Sequence, residues 1–215
     1  FTNIVATWTG AGQSGNGFTL TSSSGNVIEG STAKNRSRGV YVNGGSHDNT
    51  IENNDFSNAG YGAIDAESNS GQGNKYLGNN LSNSGNYGII VVGDSAVAIN
   101  AANVFAGAYI GVSLQNVSGV ALANLDLSGV VRYGLYLQSV NDSTFTSLKA
   151  GGDYYGVQAV SSTGNTFTNI DASWSGVGRS GVGIHLASPS NVLDSSVVGN
   201  RTYGVVFGGA SNEGK

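Results

Sequence analysis

The chain has no cysteine and no methionine, and it contains a single proline, Pro189. Because only two histidines accompany this lack of thiols, no zinc or other metal site is expected. Charged side chains are also scarce: nine Lys and Arg and 13 Asp and Glu give a net charge of −4. A protein that binds nucleic acid through its phosphates needs a basic surface, so nucleic acid is not expected as a partner.

Long hydrophobic runs are missing as well. No apolar segment approaches the length of a membrane span, and the first residues lack the basic and apolar regions of a signal peptide. Small polar residues dominate instead, with 35 glycines among 215 residues. This composition is typical of extracellular or cell-surface proteins, and it predicts neither membrane insertion nor a cofactor.

An internal repeat organises the sequence. Residues 1–20 (FTNIVATWTGAGQSGNGFTL) return as residues 167–186 (FTNIDASWSGVGRSGVGIHL), with 12 of 20 positions identical at a constant offset of 166. After a one-residue gap the match continues, so that residues 1–50 match residues 167–215. The sequence therefore predicts one domain, residues 1–215, that is a segment of a longer repetitive protein.

A shorter period lies inside the long one. Most steps between recurring glycines are 21 to 23 residues, two are 26 and 27, and alternating apolar residues follow each glycine. These glycines are Gly17, Gly39, Gly62, Gly88, Gly111, Gly134, Gly156, Gly183 and Gly204. Between them, short apolar pairs follow polar turns, so each period predicts two or three strands of about four residues. Turn asparagines that suit left-handed backbone and are expected to stack as an amide ladder are Asn26, Asn49, Asn74, Asn165 and Asn191.

This pattern resembles the right-handed parallel β-helix repeat of pectate lyase-like, alginate epimerase-like and tailspike-like solenoids. The resemblance covers nearly the whole chain and concerns the fold. It implies an all-β, right-handed parallel β-helix, a solenoid of about nine coils of about 22 residues. The residues support this architecture independently, because alternation in RGVYV places Val40 and Val42 inside and Tyr41 outside.

Two columns of side chains are predicted to face outward. The residue before each glycine contributes Arg38, Tyr61, Tyr87, Tyr133, Tyr155 and Tyr203. The second residue after each glycine contributes Thr19, Tyr41, Ile64, Ile90, Ser113, Tyr136, Gln158, His185 and Val206. The tyrosines either line a groove for an extended sugar chain or stack on each other and stabilise the bend. Candidate carbohydrate-binding residues on this side are Tyr41, Tyr136, Tyr154 and Gln158.

The two tryptophans, Trp8 and Trp174, occupy equivalent positions of the long repeat, in the loop W[ST]GxGxSGxG. Each is a candidate carbohydrate-binding residue that offers a stacking platform, and the alternative is a ring that folds back over the coil as a packing lid. Identical loops on one side of the solenoid would form a multivalent array. One charged pair is kept in both copies and predicts a salt bridge across a turn: Glu29 with Arg36, and Asp194 with Arg201.

A catalytic alternative requires groups that neutralise an acidic sugar and move its proton. If the protein is an enzyme, the best cluster is Arg132, Tyr136, Arg179 and His185. Arg179 and His185 correspond to Gln13 and Thr19 in the other copy, so this cluster is not repeated. A second charged cluster, without a recognisable motif, comprises Arg36, Arg38, Tyr41, His47, Asp48, Asp65 and Glu67.

The leading hypothesis is an extracellular scaffold or adhesin segment that binds a polysaccharide or cell-surface glycan through side loops and an outward groove. The alternatives are a polysaccharide lyase or C5-epimerase acting on an acidic polysaccharide, and the body of a phage tailspike. Self-association is expected either end to end, through open strand edges, or as a trimer through Ile64, Ile90 and Val206. The long repeat favours the scaffold, because an enzyme needs one groove whereas a scaffold gains from several identical ones.

Overall fold

The computed structural model describes residues 1–67, 71–209 and 212–214, and every helix or strand assigned in them is a β-strand. Accordingly, these residues contain no helix long and apolar enough to span a membrane. In chain order the strands are β1 (Asn16–Thr21), β2 (Val27–Glu29), β3 (Arg38–Asn43), β4 (Thr50–Glu52), β5 (Gly62–Ala66), β6 (Lys75–Leu77), β7 (Tyr87–Val92), β8 (Ala98–Ile99), β9 (Ile110–Ser118), β10 (Ala121–Ala123), β11 (Asp126–Leu127), β12 (Tyr133–Asn141), β13 (Thr144–Thr146), β14 (Lys149–Ala150), β15 (Tyr155–Val160), β16 (Thr166–Thr168), β17 (Val182–Leu186), β18 (Val192–Asp194), β19 (Tyr203–Phe207) and β20 (Glu213–Gly214).

The strands stack in parallel as a solenoid of about eight turns, close to the nine coils predicted. The longest sheet, called the first sheet below, runs through β1, β3, β5, β7, β9, β12, β15, β17 and β19. On the second side, β2, β4, β6 and β8 form one sheet and β10, β13, β16, β18 and β20 form another. The third side consists of β11 with β14 and of single bridges such as Thr32 to Asp55.

Side chains alternate along the first sheet as the pattern predicts. In β3, Val40 and Val42 are fully buried while Tyr41 is partly exposed, and the inward residues of successive coils form one core. Neighbouring backbones approach closely beside this core. A Cβ atom on Gly134 would lie 2.6 Å from the carbonyl oxygen of Gly156 in the next coil, so the recurring glycine provides space between coils.

Buried amides line the corners of the solenoid. The N–H and Nδ2 groups of Asn26 donate to Oδ1 of Asn49 at 2.9 and 3.0 Å, and Asn49 donates likewise to Asn74. Asn165 and Asn191 continue the pattern near the other end, which confirms the predicted ladder. The expectation that these asparagines adopt left-handed backbone was wrong, because none of the five has a positive φ.

One coil departs from the predicted register. Gly62 pairs with Arg38 and Tyr87, so Ala63 takes the place of the recurring glycine in β5. Asp65 therefore faces outward beside Tyr41, while Ile64 points into the core and is fully buried. The prediction that Ile64 faces outward is wrong, because the chain is shifted by one residue in this coil.

The exposure of the three predicted trimer contacts, Ile64, Ile90 and Val206, differs from the prediction. Ile64 is inside the solenoid, and Ile90, although in the outward column, is only 2% exposed. Val206 alone of the three is partly exposed. The prediction that Ile64 and Ile90 are exposed contact residues is therefore wrong.

Candidate functional site

The outward face of the first sheet carries a shallow depression of about 320 Å³. Register places its side chains in rows across β7, β9, β12 and β15, because equivalent residues of paired parallel strands lie side by side. The residues that line the depression are Tyr87, Ile110, Gln115, Tyr133, Tyr136, Gln138 and Gln158.

Three tyrosines and three glutamines give the depression its chemistry. Phenol rings offer flat apolar surfaces, and primary amides both donate and accept hydrogen bonds. Tyr136 donates its hydroxyl to Oε1 of Gln138 at 3.2 Å, and Gln115 donates Nε2 to the hydroxyl of Ser113 at 3.2 Å. None of the seven lining residues is charged. The depression is therefore suited to an uncharged molecule rich in hydroxyl groups.

Part of the tyrosine column stacks on itself. Tyr133 and Tyr155 stack with ring centroids 5.7 Å apart, and Tyr155 stacks on His185 at 5.5 Å. Burial raises the pKa of the Tyr133 and Tyr155 hydroxyls, so both stay protonated at neutral pH. The column thus combines the two roles that the sequence left open: some rings stabilise the sheet, and Tyr133 also lines the depression.

A charged cluster lies on the same face over β3 and β5. Nε of Arg38 donates to Oδ2 of Asp65, and the guanidinium lies over the rings of Tyr41 and Tyr61 at 4.9 and 4.8 Å. Tyr61 donates its hydroxyl to Oε1 of Glu67 at 3.0 Å. Burial raises the pKa of Asp65 to about 6, although its bond to Arg38 acts in the opposite direction. Arg38 is already bound by these partners, which makes the cluster a stabilising unit of the face.

The remaining members of the predicted second cluster lie elsewhere. His47 and Asp48 pair with each other on an exposed turn, with Nδ1 and Oδ2 2.9 Å apart. Arg36 packs against Trp8 instead. The structure therefore brings together Arg38, Tyr41, Asp65 and Glu67. It places Arg36, His47 and Asp48 elsewhere.

The contribution of Asp65 to protein stability is expected to fall as the pH rises from about 4 through about 6. Its pKa in the folded protein, about 6, lies above the ordinary value of 3.8, so folding favours the protonated form. This stabilisation is complete below the lower value and is lost as the pH rises through the higher one. Asp65→Asn should remove this contribution to the pH dependence of stability, which amounts to at most about 3 kcal/mol.

Urea unfolding of the unsubstituted protein and of Asp65→Asn between about pH 4 and pH 7 measures how the free energy of unfolding depends on pH. Asp142→Asn is the matched control, because Asp142 is an exposed aspartate on a turn. An unchanged slope in Asp65→Asn would refute the assignment.

The predicted catalytic residues do not form one contact group. Tyr136 and His185 share an outward row with Gln158 between them, which places them about 10 Å apart. Burial lowers the pKa of His185, whose Nδ1 has no hydrogen-bond partner among the described residues. Arg132 lies at the corner before β12 with its guanidinium 4.7 Å from the ring centre of Tyr154. Arg179 is exposed in a side loop.

The two side loops, the Trp8 loop (residues 8–15) and the Trp174 loop (residues 174–181), repeat the same contacts. The backbone N–H of Trp8 donates to the backbone oxygen of Lys34 at 3.0 Å. The backbone N–H of Trp174 donates in the same way to the backbone oxygen of Gly199 at 2.9 Å. Both loops lie on the connection from the third side to the first sheet, so they share one side of the solenoid. This placement agrees with the predicted equivalence of the two copies.

Each indole is covered by its own loop and by an arginine of the next coil. Arg36 and Arg201 lie 5.8 Å from the ring centres of Trp8 and Trp174. A Cβ on Gly176 would lie 2.3 Å from the Trp174 ring, and Gly10 packs on Trp8 in the same way. Both indole nitrogens are buried. These contacts favour the packing alternative for the two tryptophans.

The two arginines do not form the predicted salt bridges. Nε of Arg36 donates to the carbonyl oxygen of Ala6, and Nε of Arg201 donates to that of Ala172 at 2.7 Å. Asp194 instead accepts a hydrogen bond from the Ser195 hydroxyl at 2.9 Å. The prediction of paired charges is wrong, because backbone oxygens and an indole face satisfy each guanidinium.

Of the predicted carbohydrate-binding residues, Tyr136 and Gln158 line the depression. Tyr41 is covered by Arg38, and Tyr154 lies at the corner beside Arg132. Tyr87 and Tyr133 belong to the predicted tyrosine column, whereas Ile110, Gln115 and Gln138 were not among the candidates. A signal was present, because glutamine follows the recurring glycine by four positions in two successive coils.

These features define a β-solenoid whose longest sheet presents an uncharged depression rich in tyrosine and glutamine. The family described as right handed beta helix region matches residues 2–104 and 110–213, so the chain belongs to that family. The break between the two matches coincides with the interruption of the second side between β8 and β10. No curated protein and no solved structure gives a significant match.

Proposed function

We propose that the protein is an extracellular scaffold that binds glycans through the outward face of the first sheet. The observation that carries this proposal is the depression lined by three tyrosines, three glutamines and one isoleucine. Sugars combine apolar ring faces with hydroxyl groups, and this lining offers a complement to both. The scarcity of charge and the abundance of small polar residues support an extracellular or cell-surface setting.

The repeating geometry supports an extended glycan as ligand. Tyr87 and Tyr133 lie in one row with Ile110 between them, so their Cα atoms are about 10 Å apart. Gln115 and Gln138 lie side by side in a parallel row. A polymer laid along the solenoid axis meets a ring or an amide in each successive coil.

Binding is better supported than catalysis. A lyase or epimerase needs a base beside a cation that neutralises the carboxylate of the substrate. His185 and Tyr136 lie on the face, but among the described residues neither has a cation in hydrogen-bond or ring contact. The face therefore favours a scaffold or adhesin segment over a polysaccharide-modifying enzyme.

A glycan array probed with the protein and with Tyr133→Ala tests the proposal. Loss of the ring should weaken binding of extended glycans at least about tenfold, which corresponds to about 1.4 kcal/mol. Tyr203→Ala is the matched control, because Tyr203 occupies the same row outside the depression and is 62% exposed. Equal losses in both variants, or no binding by the protein itself, would refute the proposal.

Product formation from alginate, pectate and hyaluronan, followed by absorbance of unsaturated sugars and by NMR, tests the catalytic alternative. Turnover that disappears in His185→Ala would establish the enzyme and overturn the scaffold.

A further inference from the structure

Positive charge gathers around the Trp174 loop, although the chain as a whole carries a net charge of −4. The three arginines concerned are Arg132, Arg179 and Arg201. They belong to different coils. Arg201 donates to Gly152 and Arg132 lies over Tyr154, where the Trp174 loop lies against the backbone of residues 152–155, and Arg179 is an exposed residue of the loop itself.

Arg201 provides a buried charge beneath this loop. Its guanidinium donates to the carbonyl oxygens of Ala172 at 2.7 Å, Ala150 at 3.4 Å and Ser180 at 3.5 Å, and also to that of Gly152. All four acceptors are neutral, and Arg201 forms no ion pair with a carboxylate of the described residues. A charge without a direct ionic partner acts on nearby groups through space, so Arg201 favours an anion near the loop.

Arg132 adds a second charge at the same corner. Its guanidinium lies over the ring of Tyr154, and the backbone oxygens of Asp153 and Tyr154 lie against Gly181 at the end of the Trp174 loop. The acid that faces this group is Asp153, which acts electrostatically on both Arg132 and Arg201. Two arginines thus share one aspartate, which leaves an excess of positive charge at this corner.

The loop itself offers donors that have no partner. Arg179 is exposed, and among the described residues it forms no ion pair. The backbone N–H groups of residues 175–179 likewise make no hydrogen bond there. Successive free N–H groups in a glycine-rich turn are a recurrent anion-binding arrangement.

The other copy of the loop provides an internal comparison. Gln13 stands where the Trp174 loop has Arg179, and it packs against Gly60 two coils away. The contacts of the two tryptophans are otherwise the same, so the difference between the loops is chiefly one of charge.

We propose that the Trp174 loop binds an oxyanion group, a carboxylate or a sulfate, carried by a saccharide. Arg179 and the N–H groups of residues 175–179 contact the anion, while Arg132 and Arg201 supply the surrounding potential. The Trp8 loop, with Gln13, lacks this preference. The saccharide part of the ligand rests on the proposed function, whereas the anion site does not.

Calorimetry at low ionic strength tests this site with three probes: a uronic acid tetramer, the same tetramer with its carboxyl groups reduced, and inorganic sulfate. The acidic tetramer should bind at least about tenfold more tightly than the reduced one, and added salt should diminish this preference. Arg179→Gln should reduce the preference to less than about threefold, because it removes the exposed contact. The fold should be unaffected, since Arg179 is a surface residue.

The double variant Arg179→Gln with Gln13→Arg keeps the net charge and moves it to the other loop. Arg132 lies in the coil of β12, five coils from the Trp8 loop, so the moved arginine lacks its support. The double variant should therefore behave like Arg179→Gln alone. The proposed site would be overturned if the double variant still preferred the acidic tetramer over the reduced one. It would also be overturned if the unsubstituted protein showed no such preference. Sulfate that competes as well as the acidic tetramer would overturn the saccharide assignment and leave a site for a free oxyanion.

The reduced tetramer separates this inference from the proposed function. Its binding reports the depression on the first sheet, so Tyr133→Ala should weaken it and Arg179→Gln should leave it unchanged. Preference for the acidic tetramer without any binding of the reduced one would support the anion site and count against the proposed function.

Discussion

Replacing Asn79 by alanine is expected to lower the free energy of unfolding by about 3–5 kcal/mol. Asn79 is fully buried, and its Oδ1 accepts hydrogen bonds from the N–H and Nδ2 groups of Asn54, both at 3.0 Å. Its Nδ2 donates to the oxygen of Ile51 at 2.9 Å and to Oδ1 of Asn103 at 3.3 Å. Alanine would leave buried donors and acceptors without partners and open a cavity between three coils.

Urea denaturation followed by far-UV circular dichroism measures this loss. Asn86→Ala is the control, because Asn86 is exposed and its side chain makes no hydrogen bond among the described residues. It should change stability by no more than about 0.5 kcal/mol. A similarly small effect in Asn79→Ala would show that the ladder does not hold the coils together.

Replacing Gly134 by alanine is expected to cost about 3 kcal/mol, through contact with backbone atoms. The added Cβ would lie 2.6 Å from the oxygen of Gly156, 2.9 Å from that of Gly151 and 3.0 Å from the carbonyl carbon of Ala150. All three atoms belong to the stacked backbone, so no side chain can move aside. The coils would have to separate, and the hydrogen bonds between β12 and β15 would weaken.

Gly204 supplies a control in the same column. A Cβ there would meet no atom closer than 4.0 Å, so Gly204→Ala should be neutral or stabilise the protein by up to about 1 kcal/mol. The same urea denaturation compares the two variants. Equal effects would mean that close approach of the coils is not what the recurring glycine provides.

The sequence predicted the fold because its signals are tied directly to the geometry of a coil. A glycine that recurs near every 22 residues and a strict alternation such as that of Val40, Tyr41 and Val42 leave few other architectures. The same alternation could have corrected the register of β5. Asp65 flanked by Ile64 and Ala66 indicates an outward acid between two inward apolar residues, whereas the nearby glycine suggested the opposite.

The candidate site was predictable only in part. The tyrosine column was evident, yet the grouping of Gln115, Gln138 and Gln158 depends on which residues of separate coils lie side by side. The roles of Arg36 and Arg201 were hidden for another reason. Their hydrogen bonds go to backbone oxygens, which leave no trace in the identity of the accepting residue.

A crystal structure of the protein with the extended glycan that binds most strongly on the array would test the central claim most directly. The account predicts sugar density along the solenoid axis across β7, β9 and β12, with rings against Tyr87 and Tyr133 and hydroxyl groups within hydrogen-bond distance of Gln138. A glycan bound elsewhere, with the face of the first sheet empty, would contradict it.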